Sequence, residues 1–247
     1  MEYIHINCDL GEGGEYDAQL MPFISACNIA CGGHAGTVET MKKTVDLAME
    51  NKVEIGAHPS YPDRENFGRR SLKMEPSELK RSLKAQVFSL KQITEAEGGN
   101  LTHVKPHGAL YNDAAKDQIL ANLIIETVQE IDENLLLFTP PFSVISEEAK
   151  GKLKVVFEAF ADRNYNPDHS LVSRENSAGL ITKKEQIFEH LFRMFSGREI
   201  TCINGQIIPS NTNTFCLHSD TPNSEEILIF LKENLEAKNI IISNSYR

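Results

Sequence analysis

Short apolar runs rich in β-branched residues alternate along the chain with longer segments in which apolar residues recur every three or four positions. The short runs predict buried strands, and the longer segments predict amphipathic helices. The predicted strands cover residues 3–8, 23–30, 53–57, 101–104, 135–138, 153–157 and 214–217. The predicted helices cover residues 38–51, 77–97, 114–131, 183–195 and 224–235, with a short helix ending near residue 150. A hairpin at 201–210 and a last short strand at 239–242 complete a pattern that is typical of βαβ units and a parallel sheet.

Ionisable residues directly follow most of the predicted strands. These strand tips hold Asp9 and Glu12, His58, Lys105 and His107, Glu158 and Asp162, and His218 and Asp220. Because the carboxyl ends of parallel strands meet at one face of a barrel, such tips favour a closed barrel over an open sheet with a single switch point. The 247-residue chain is close to the ~250 residues of such barrels. We therefore expect one (β/α)-barrel domain over residues 1–247, with about seven parallel strands.

Composition and charge narrow the function classes. The formal net charge is −10, which argues against the basic face that nucleic-acid binding needs. The 40% of hydrophobic residues fits an ordinary soluble globular protein. An anionic substrate stays open, because a site can be locally positive. The chain shows no signal peptide and no apolar run near the ~18 residues that span a membrane. Its five cysteines form no C-x-x-C pair, which predicts reduced, buried thiols in a cytoplasmic protein.

Lys105 and His107 are the first candidates for chemistry. They lie two residues apart in an extended segment, so their side chains leave it on the same face. A cation and a titratable imidazole that point together into a pocket suit polarising a carbonyl group or holding an anion. His58 follows its strand in the same way, and His34 lies in a loop of small residues at 31–36. Taken alone, each histidine is as readily explained as a structural residue.

Histidine and carboxylate side chains are also the ligands of hydrolytic zinc or manganese centres. The chain contains no H-E-x-x-H sequence that would fix such a centre. The sequence therefore leaves a divalent metal open.

The remaining candidates carry weaker signals. Arg69 is explained either as a surface residue in a salt bridge or as a guanidinium that forks onto a carboxylate or phosphate. Glu158 is a candidate general base, whereas Asp162 and Arg163 suit ordering the polar stretch at 161–178, which we interpret as an active-site loop. Three histidines without supporting partners in the sequence are interpreted as structural or surface residues: His103, His169 and His190.

Seven long motifs resemble the LamB/YcsF family, and they run from the first strand to the last helix. These motifs are Asn7-Cys8-Asp9-Leu10-Gly11-Glu12, Asn28-Ile29-Ala30-Cys31-Gly32, Gly56-Ala57-His58-Pro59-Ser60-Tyr61-Pro62-Asp63, Phe67-Gly68-Arg69-Arg70, Val104-Lys105-Pro106-His107-Gly108-Ala109-Leu110-Tyr111-Asn112, Glu158-Ala159-Phe160-Ala161-Asp162-Arg163 and Cys216-Leu217-His218-Ser219-Asp220-Thr221-Pro222.

That family is the A component of bacterial 5-oxoprolinase. The resemblance implies a distorted (β/α) barrel similar to polysaccharide deacetylases. It also implies ATP-dependent hydrolysis of 5-oxo-L-proline to L-glutamate, together with B and C subunits. The motif positions assigned to catalysis are Asp9, His58, Lys105, His107, Glu158, His218 and Asp220. Those assigned to substrate binding are Glu12, His34, Arg69, Asp162 and Arg163. Four positions depart from the family's usual residues and leave room for a shifted substrate preference: Gly33, Thr37, Asn164 and Ser219.

ATP is the co-substrate that this resemblance implies, yet the chain has no G-x-x-x-x-G-K-[ST] loop and no kinase signature. We therefore expect the ATP site to involve a partner subunit. In the resulting hypothesis ATP phosphorylates the lactam carbonyl oxygen, Arg69 or Lys105 holds the carboxylate or phosphate, and an Asp, Glu or His activates water. Two alternatives stay open: a stand-alone metal-dependent deacetylase or amidohydrolase, and a non-catalytic subunit that only binds substrate.

Overall fold

Strands and helices alternate through residues 1–14 and 16–244, the part of the chain that the computed structural model describes. The strands are β1 (Glu2–Ile4), β2 (Ile6–Leu10), β3 (Ala26–Ala30), β4 (Glu54–His58), β5 (Leu101–Val104), β6 (Leu136–Thr139), β7 (Val155–Phe160), β8 (Glu199–Thr201), β9 (Ile207–Pro209), β10 (Thr214–Cys216) and β11 (Ile240–Ile242). The helices are α1 (Asp17–Leu20), α2 (Val38–Asn51), α3 (Pro76–Ala96), α4 (Gly108–Ala114), α5 (Gln118–Ile131), α6 (Val144–Glu148), α7 (Lys184–Phe192) and α8 (Ser224–Glu236), with a 3₁₀ turn at Met21–Phe23 and a π-helical turn at Arg193–Gly197.

Seven of these strands close into an all-parallel barrel, which confirms the predicted fold class. Around the barrel the order is β10-β2-β3-β4-β5-β6-β7, and β7 pairs back onto β10. The register places Asp9 beside Asn28 and Ala30 beside His58. The polar tips of neighbouring strands therefore lie at one end of the barrel.

The helices cover the barrel through apolar stripes. On α3 the buried stripe is Leu79, Leu83, Val87 and Leu90, and the helix packs against α2 and α5. Burying each such side chain stabilises the fold by about 1.5–3 kcal/mol relative to exposure. Of the helices that the structure describes, none has the length and apolar character to cross a membrane.

The predicted first strand at 3–8 is two strands in the structure. β1 lies outside the barrel and pairs in parallel with β11, with Ile4 opposite Ile242. After His5 the chain enters the barrel as β2. Only His5 separates the two strands, so the sequence pattern alone did not divide them, whereas β11 confirms the short strand predicted at 239–242.

The predicted helix at 114–131 corresponds to α5, which begins four residues later, and α4 is an additional helix that the sequence did not predict. α4 begins directly after His107, and α5 begins after Asp117, whose carboxylate accepts the backbone N–H groups of Ile119 and Leu120 at 2.8 and 3.0 Å. Such a cap satisfies donors that a helix start leaves free. The predicted hairpin is confirmed, because β8 and β9 pair antiparallel.

Candidate active site

The carboxyl ends of the barrel strands surround a cavity of about 790 Å³. This volume lies within the range of small-molecule sites. Ten of the predicted site residues line the cavity: Asp9, Glu12, His58, Arg69, Lys105, His107, Glu158, Arg163, His218 and Asp220. The other two lie directly behind this lining, since His34 stacks on His107 with ring centroids 3.6 Å apart and Asp162 binds His218.

The strand end at Lys105 and His107 positions both side chains. Their backbone N–H groups donate to the carbonyl oxygens of Ala57 and Pro59 at 2.9 and 2.8 Å, so β5 continues alongside the end of β4. This extended geometry directs the two side chains to the same side of the segment. Each then becomes part of a separate cluster.

The lysine cluster comprises Asp9, Lys105, Glu158 and Cys216. The Lys105 side chain is buried, and its Nζ lies 2.8 Å from Asp9 Oδ1, 2.9 Å from Glu158 Oε1 and 3.1 Å from Cys216 Sγ. The ammonium group therefore has its partners within the chain. Lys105 therefore holds two carboxylates in place, which differs from the free cation that the sequence suggested.

Charge pairing fixes the protonation states of this cluster. Burial opposes ionisation of Asp9, but His58 and Lys105 outweigh it and hold the pKa of that carboxyl well below its ordinary value. Burial likewise opposes the charge on Lys105, yet Asp9, Cys216 and Glu158 raise the pKa of the ammonium above its ordinary value. Asp9 is thus a carboxylate and Lys105 a cation at neutral pH.

Two asparagines complete the support of Asp9, and the sequence reasoning missed both as site residues. Asn28 Nδ2 donates to Asp9 Oδ1 and to Asn7 Oδ1, each at 2.8 Å. His103 Nε2 lies 2.8 Å from Asn28 Oδ1, and its ring stacks on Phe138 inside the barrel. The available signal was an amide within an otherwise apolar strand, because a buried polar group needs a specific partner.

The histidine cluster comprises Glu12, His34, His58 and His107. His58 Nδ1 donates to the carbonyl oxygen of Lys105 at 2.7 Å, and His107 Nε2 donates to the carbonyl oxygen of Phe67 at 2.9 Å. When both rings are neutral, each has one N–H group, and a carbonyl oxygen accepts it. His58 Nε2 and His107 Nδ1 then present lone pairs to each other across 2.9 Å. Only an added cation, either a proton or a metal ion, makes this contact favourable.

Glu12 closes the same cluster. Its Oε1 lies 2.9 Å from His34 Nε2, 3.5 Å from His107 Nδ1 and 4.0 Å from His58 Nε2. Burial and the neighbouring Asp9 raise the pKa of Glu12 to about 7. Burial lowers the pKa of His34 to about 4 and that of His107 well below its ordinary value.

These four residues fit a divalent metal ion. One ligand atom from each lies within 4.8 Å of the others. Burial favours the neutral rings of His34 and His107 by lowering their pKa, and metal binding requires neutral rings. Carbonyl acceptors fix the tautomers of His58 and His107, as outer partners do in known metal centres. His34 Nδ1 is buried without a partner in the described part of the chain.

The loop before Arg69 fits tightly against the histidine cluster. Phe67 and Gly68 adopt positive φ angles of 53° and 60°. A side chain on Gly68 would lie 3.0 Å from both His34 and His107. Phe67 is a strained position for a bulky residue, and this conformation turns its carbonyl toward His107.

His218 and Asp162 form an imidazole–carboxylate pair beside the lysine cluster. Asp162 is fully buried, and its two oxygens lie 3.0 and 2.9 Å from His218 Nδ1. Thr221 Oγ1 donates to the same carboxylate at 2.6 Å. Burial opposes the charge of Asp162, but His218 and Thr221 lower its pKa to about 2. The carboxylate orients the ring and leaves Nε2 for the cavity.

Two arginines meet Asp220 at the rim of the cavity. Arg69 contacts Asp220 Oδ2, and Arg174 Nη1 lies 3.1 Å from the same oxygen. Burial opposes ionisation of Asp220, but Arg174, His218 and Arg69 lower its pKa. Arg174 was not predicted, because it lies in a polar stretch without periodicity. We call Arg69, Arg174 and Asp220 the rim cluster.

Arg163 has a different position from the other predicted arginine. Its Nε donates to the carbonyl oxygen of Gly179 at 3.0 Å, and its Nη2 donates to that of Val172 at 2.6 Å. Both acceptors belong to the long loop after β7. This contact pattern orders the loop, although the side chain also borders the cavity. His190 is partly buried behind the loop, and burial lowers its pKa to about 4.

Known proteins similar to this chain carry consistent descriptions. The LamB/YcsF family profile matches residues 4–247. A Haemophilus influenzae protein, named as the A subunit of 5-oxoprolinase, is 41% identical over 98% of this chain and 100% of its own length. A Pyrococcus horikoshii protein of the same name is 42% identical over 97% of this chain and 96% of its own. The crystal structure of a lactam utilization protein from Thermus thermophilus covers 99% of this chain and 100% of that chain, with 33% identity and a TM-score of 0.92.

Proposed function

We propose a function from one premise: the chain belongs to the LamB/YcsF family. It is the A component of a 5-oxoprolinase, which hydrolyses 5-oxo-L-proline to L-glutamate with coupled hydrolysis of ATP. The observation that carries this proposal is the similarity, over nearly the whole chain, to bacterial and archaeal proteins named as the A subunit of 5-oxoprolinase. The cavity adds paired carboxylates, a buried ammonium group and oriented imidazoles, which suit hydrolysis of an amide.

The chemistry explains why such a reaction needs ATP. A five-membered lactam is an unstrained amide that water attacks slowly. Transfer of a phosphoryl group from ATP to the carbonyl oxygen releases ADP and makes the ring carbon more electrophilic. Water then adds to that carbon, and breakage of the ring C–N bond leaves an amine and an acyl phosphate. A second water converts the acyl phosphate into the carboxylate of glutamate and inorganic phosphate.

Within this scheme His218 is the proton carrier. Asp162 fixes its Nδ1 at 2.9 Å, so Nε2 accepts a proton from the attacking water and delivers it to the leaving ring nitrogen. Glu158 is the second candidate base, but its contact with Lys105 commits it to the ion pair. Lys105 and Asp9 act as fixed charges next to the reacting carbon.

We also propose that Glu12, His34, His58 and His107 hold a divalent metal ion, because their lone pairs converge without a cation from the chain. When bound, such an ion stabilises negative charge that develops on the substrate oxygen. His34 and Glu12, assigned to substrate binding from the resemblance, then belong to the metal centre.

The proposal includes B and C partner subunits and a cytoplasmic location. The word "subunit" in the names of the relatives supports partner chains. Partner chains also explain how ATP takes part, since this sequence has no standard nucleotide-binding motif. All five cysteines are free and buried, which suits a reducing compartment.

Reconstitution tests this function directly. The chain is mixed with B and C subunits, and release of glutamate and inorganic phosphate is measured with 5-oxo-L-proline and ATP. We expect both products in equal amounts only when all three chains are present. Glutamate release that does not depend on this chain would refute the proposal.

The histidine cluster also favours a second candidate, a stand-alone metal-dependent amide hydrolase. This function predicts turnover by the chain alone, without ATP, and loss of that turnover with a chelator. Absence of any hydrolysis of 5-oxoproline, acetylated sugars or simple amides by the metal-loaded chain would exclude it. Retention of full turnover in the complex after replacing His58, His107 and Glu158 with alanine would instead favour a non-catalytic binding role.

A further inference from the structure

We propose that Arg69 and Arg174 form the binding site for the carboxylate group of the substrate, and that Asp220 occupies this site when substrate is absent. The inference rests on the proposed function for the identity of the substrate. It adds Arg174 to the site and gives Asp220 the role of a substitute ligand.

The hydrogen bonding of the two guanidinium groups supports this inference. Each guanidinium has five N–H donors. In the part of the chain that the structure describes, the hydrogen bonds of both side chains go to Asp220 alone. Arg69 additionally lies 4.8 Å from the centre of the Phe67 ring. Most of the donors are therefore free to bind an anion.

The other arginines near the cavity differ from this pair. Arg163 donates to the carbonyl oxygens of Gly179 and Val172, and Arg64 donates to those of Gly32 and Gly36. Those two side chains connect loop backbones, so their role is structural. The rim pair has no backbone acceptor among the described residues, and its one partner is a side chain that can rotate away.

The charge and position of the rim cluster indicate which chemical group it binds. Two guanidinium groups share one carboxylate, which leaves an excess positive charge at the mouth of the cavity. The two arginines already bind the carboxylate of Asp220, so their geometry suits a substrate carboxylate. Asp220 comes two residues after His218 and lines the same cavity. A ligand anchored there has its ring close to the proton carrier.

The three rim residues come from separate loops, after β4, β7 and β10. Their meeting point closes one side of the cavity with half-exposed side chains, 40% for Arg69, 25% for Arg174 and 36% for Asp220. An ion pair this exposed contributes little stability. A substrate carboxylate can therefore replace Asp220 at small cost.

Binding of two lactams to the isolated chain tests the inference. 5-Oxo-L-proline carries the carboxylate, and 2-pyrrolidinone has the same ring without it. Isothermal titration calorimetry with Arg174→Gln should show about tenfold or greater weakening for 5-oxo-L-proline, the effect of one lost charged hydrogen bond. Binding of 2-pyrrolidinone should not change.

Asp220→Asn gives the opposite prediction, because it frees the arginines. We expect tighter binding of 5-oxo-L-proline and no change for 2-pyrrolidinone. Glu175→Gln is the matched control, since it removes one negative charge from the same cavity wall at a residue outside the rim ion pairs. Equal tightening by Asp220→Asn and Glu175→Gln would show only a general charge effect and would overturn the inference.

One further arm separates this inference from the proposed function. If the isolated chain binds neither lactam, acetate serves as the probe of the arginine pair. Titration with acetate should shift the Nε–H signals of Arg69 and Arg174 in a ¹H–¹⁵N NMR spectrum, with chloride as the control. Absence of that shift, or equal loss of both lactams in Arg174→Gln, would overturn the carboxylate site.

Discussion

The lysine and histidine clusters lie side by side under one cavity, but their buried charges are compensated in different ways. In the lysine cluster an ammonium group from the chain lies 2.8 and 2.9 Å from two carboxylates. In the histidine cluster ring nitrogens and a carboxylate converge, and the described part of the chain supplies no cation. The first cluster is therefore complete in the folded chain, whereas the second requires a proton or a metal ion. We therefore expect the lysine cluster to stabilise the fold and the histidine cluster to depend on a bound ligand.

Replacing the ammonium group should give the largest effect. Lys105→Met leaves Asp9 and Glu158 buried without their cation, and breaking a buried ion pair in this way costs about 3–5 kcal/mol. We expect this loss in the free energy of unfolding, measured with urea, together with loss of turnover. Lys91→Met is the control, because Lys91 pairs with Glu95 and Asp132 near the surface and should cost less than about 1 kcal/mol. Similar values for both variants would contradict the comparison.

The second prediction concerns ligand dependence. His107→Gln removes one donor of the proposed metal centre, so affinity for Zn²⁺ or Mn²⁺ should fall by roughly 100-fold or more. Competition with a chromogenic chelator measures this change. His190→Gln is the matched control, since His190 is another histidine with a lowered pKa that lies outside the cluster. Unchanged metal affinity in His107→Gln would remove the distinction between the two clusters.

The pH dependence of stability gives a third prediction, of about 2 kcal/mol. The pKa of Asp162 is lowered to about 2 in the folded protein, so its ion pair stabilises the fold fully above its unfolded pKa of 3.8. That contribution disappears as the pH falls from about 4 towards 2. Asp162→Asn should lose this stability at neutral pH and show a flatter acid limb in thermal unfolding. Asp132→Asn, at a partly exposed ion pair, should change the acid limb much less.

The smallest predicted effect concerns the support under Asp9. A Cβ atom at Gly56 would lie 2.0 Å from His103 Nε2, so Gly56→Ala must displace the ring that holds Asn28. Overpacking of this kind costs about 1.5 kcal/mol, and turnover should fall with it. Gly197→Ala is the control, because its Cβ would meet only Arg193 Cγ at 3.8 Å. A stability change in Gly56→Ala no larger than in Gly197→Ala would show that His103 does not support the lysine cluster.

The fold was largely predictable from the sequence. Parallel strands buried on both faces appear as continuous apolar runs, and helices between them keep a 3.6-residue period. The split of the first strand was not predictable, because β1 pairs with β11 at the opposite end of the chain, Glu2 with Ile240. The start of α5 after Asp117, four residues later than predicted, depends on the side-chain cap that Asp117 provides.

The site was most readily predictable where ionisable residues lie at or near a strand end. His58, Lys105 and His107 stand out in sequence because each lies at the end of an apolar run or within three residues of it. Arg174 does not, since its importance arises from contact with a residue 46 positions away in a different loop. Asn28 was overlooked for a similar reason, because its partners come from β2 and β5.

The two-residue spacing around Pro106 has a consequence for any attempt to redesign this enzyme. Lys105 supplies the ammonium to one cluster, and its own backbone carbonyl fixes a ring of the other. His107, one proline further, faces that ring. The tripeptide at residues 105–107 therefore fixes the positions of both clusters relative to each other. Neither cluster can be moved, resized or transplanted without the other.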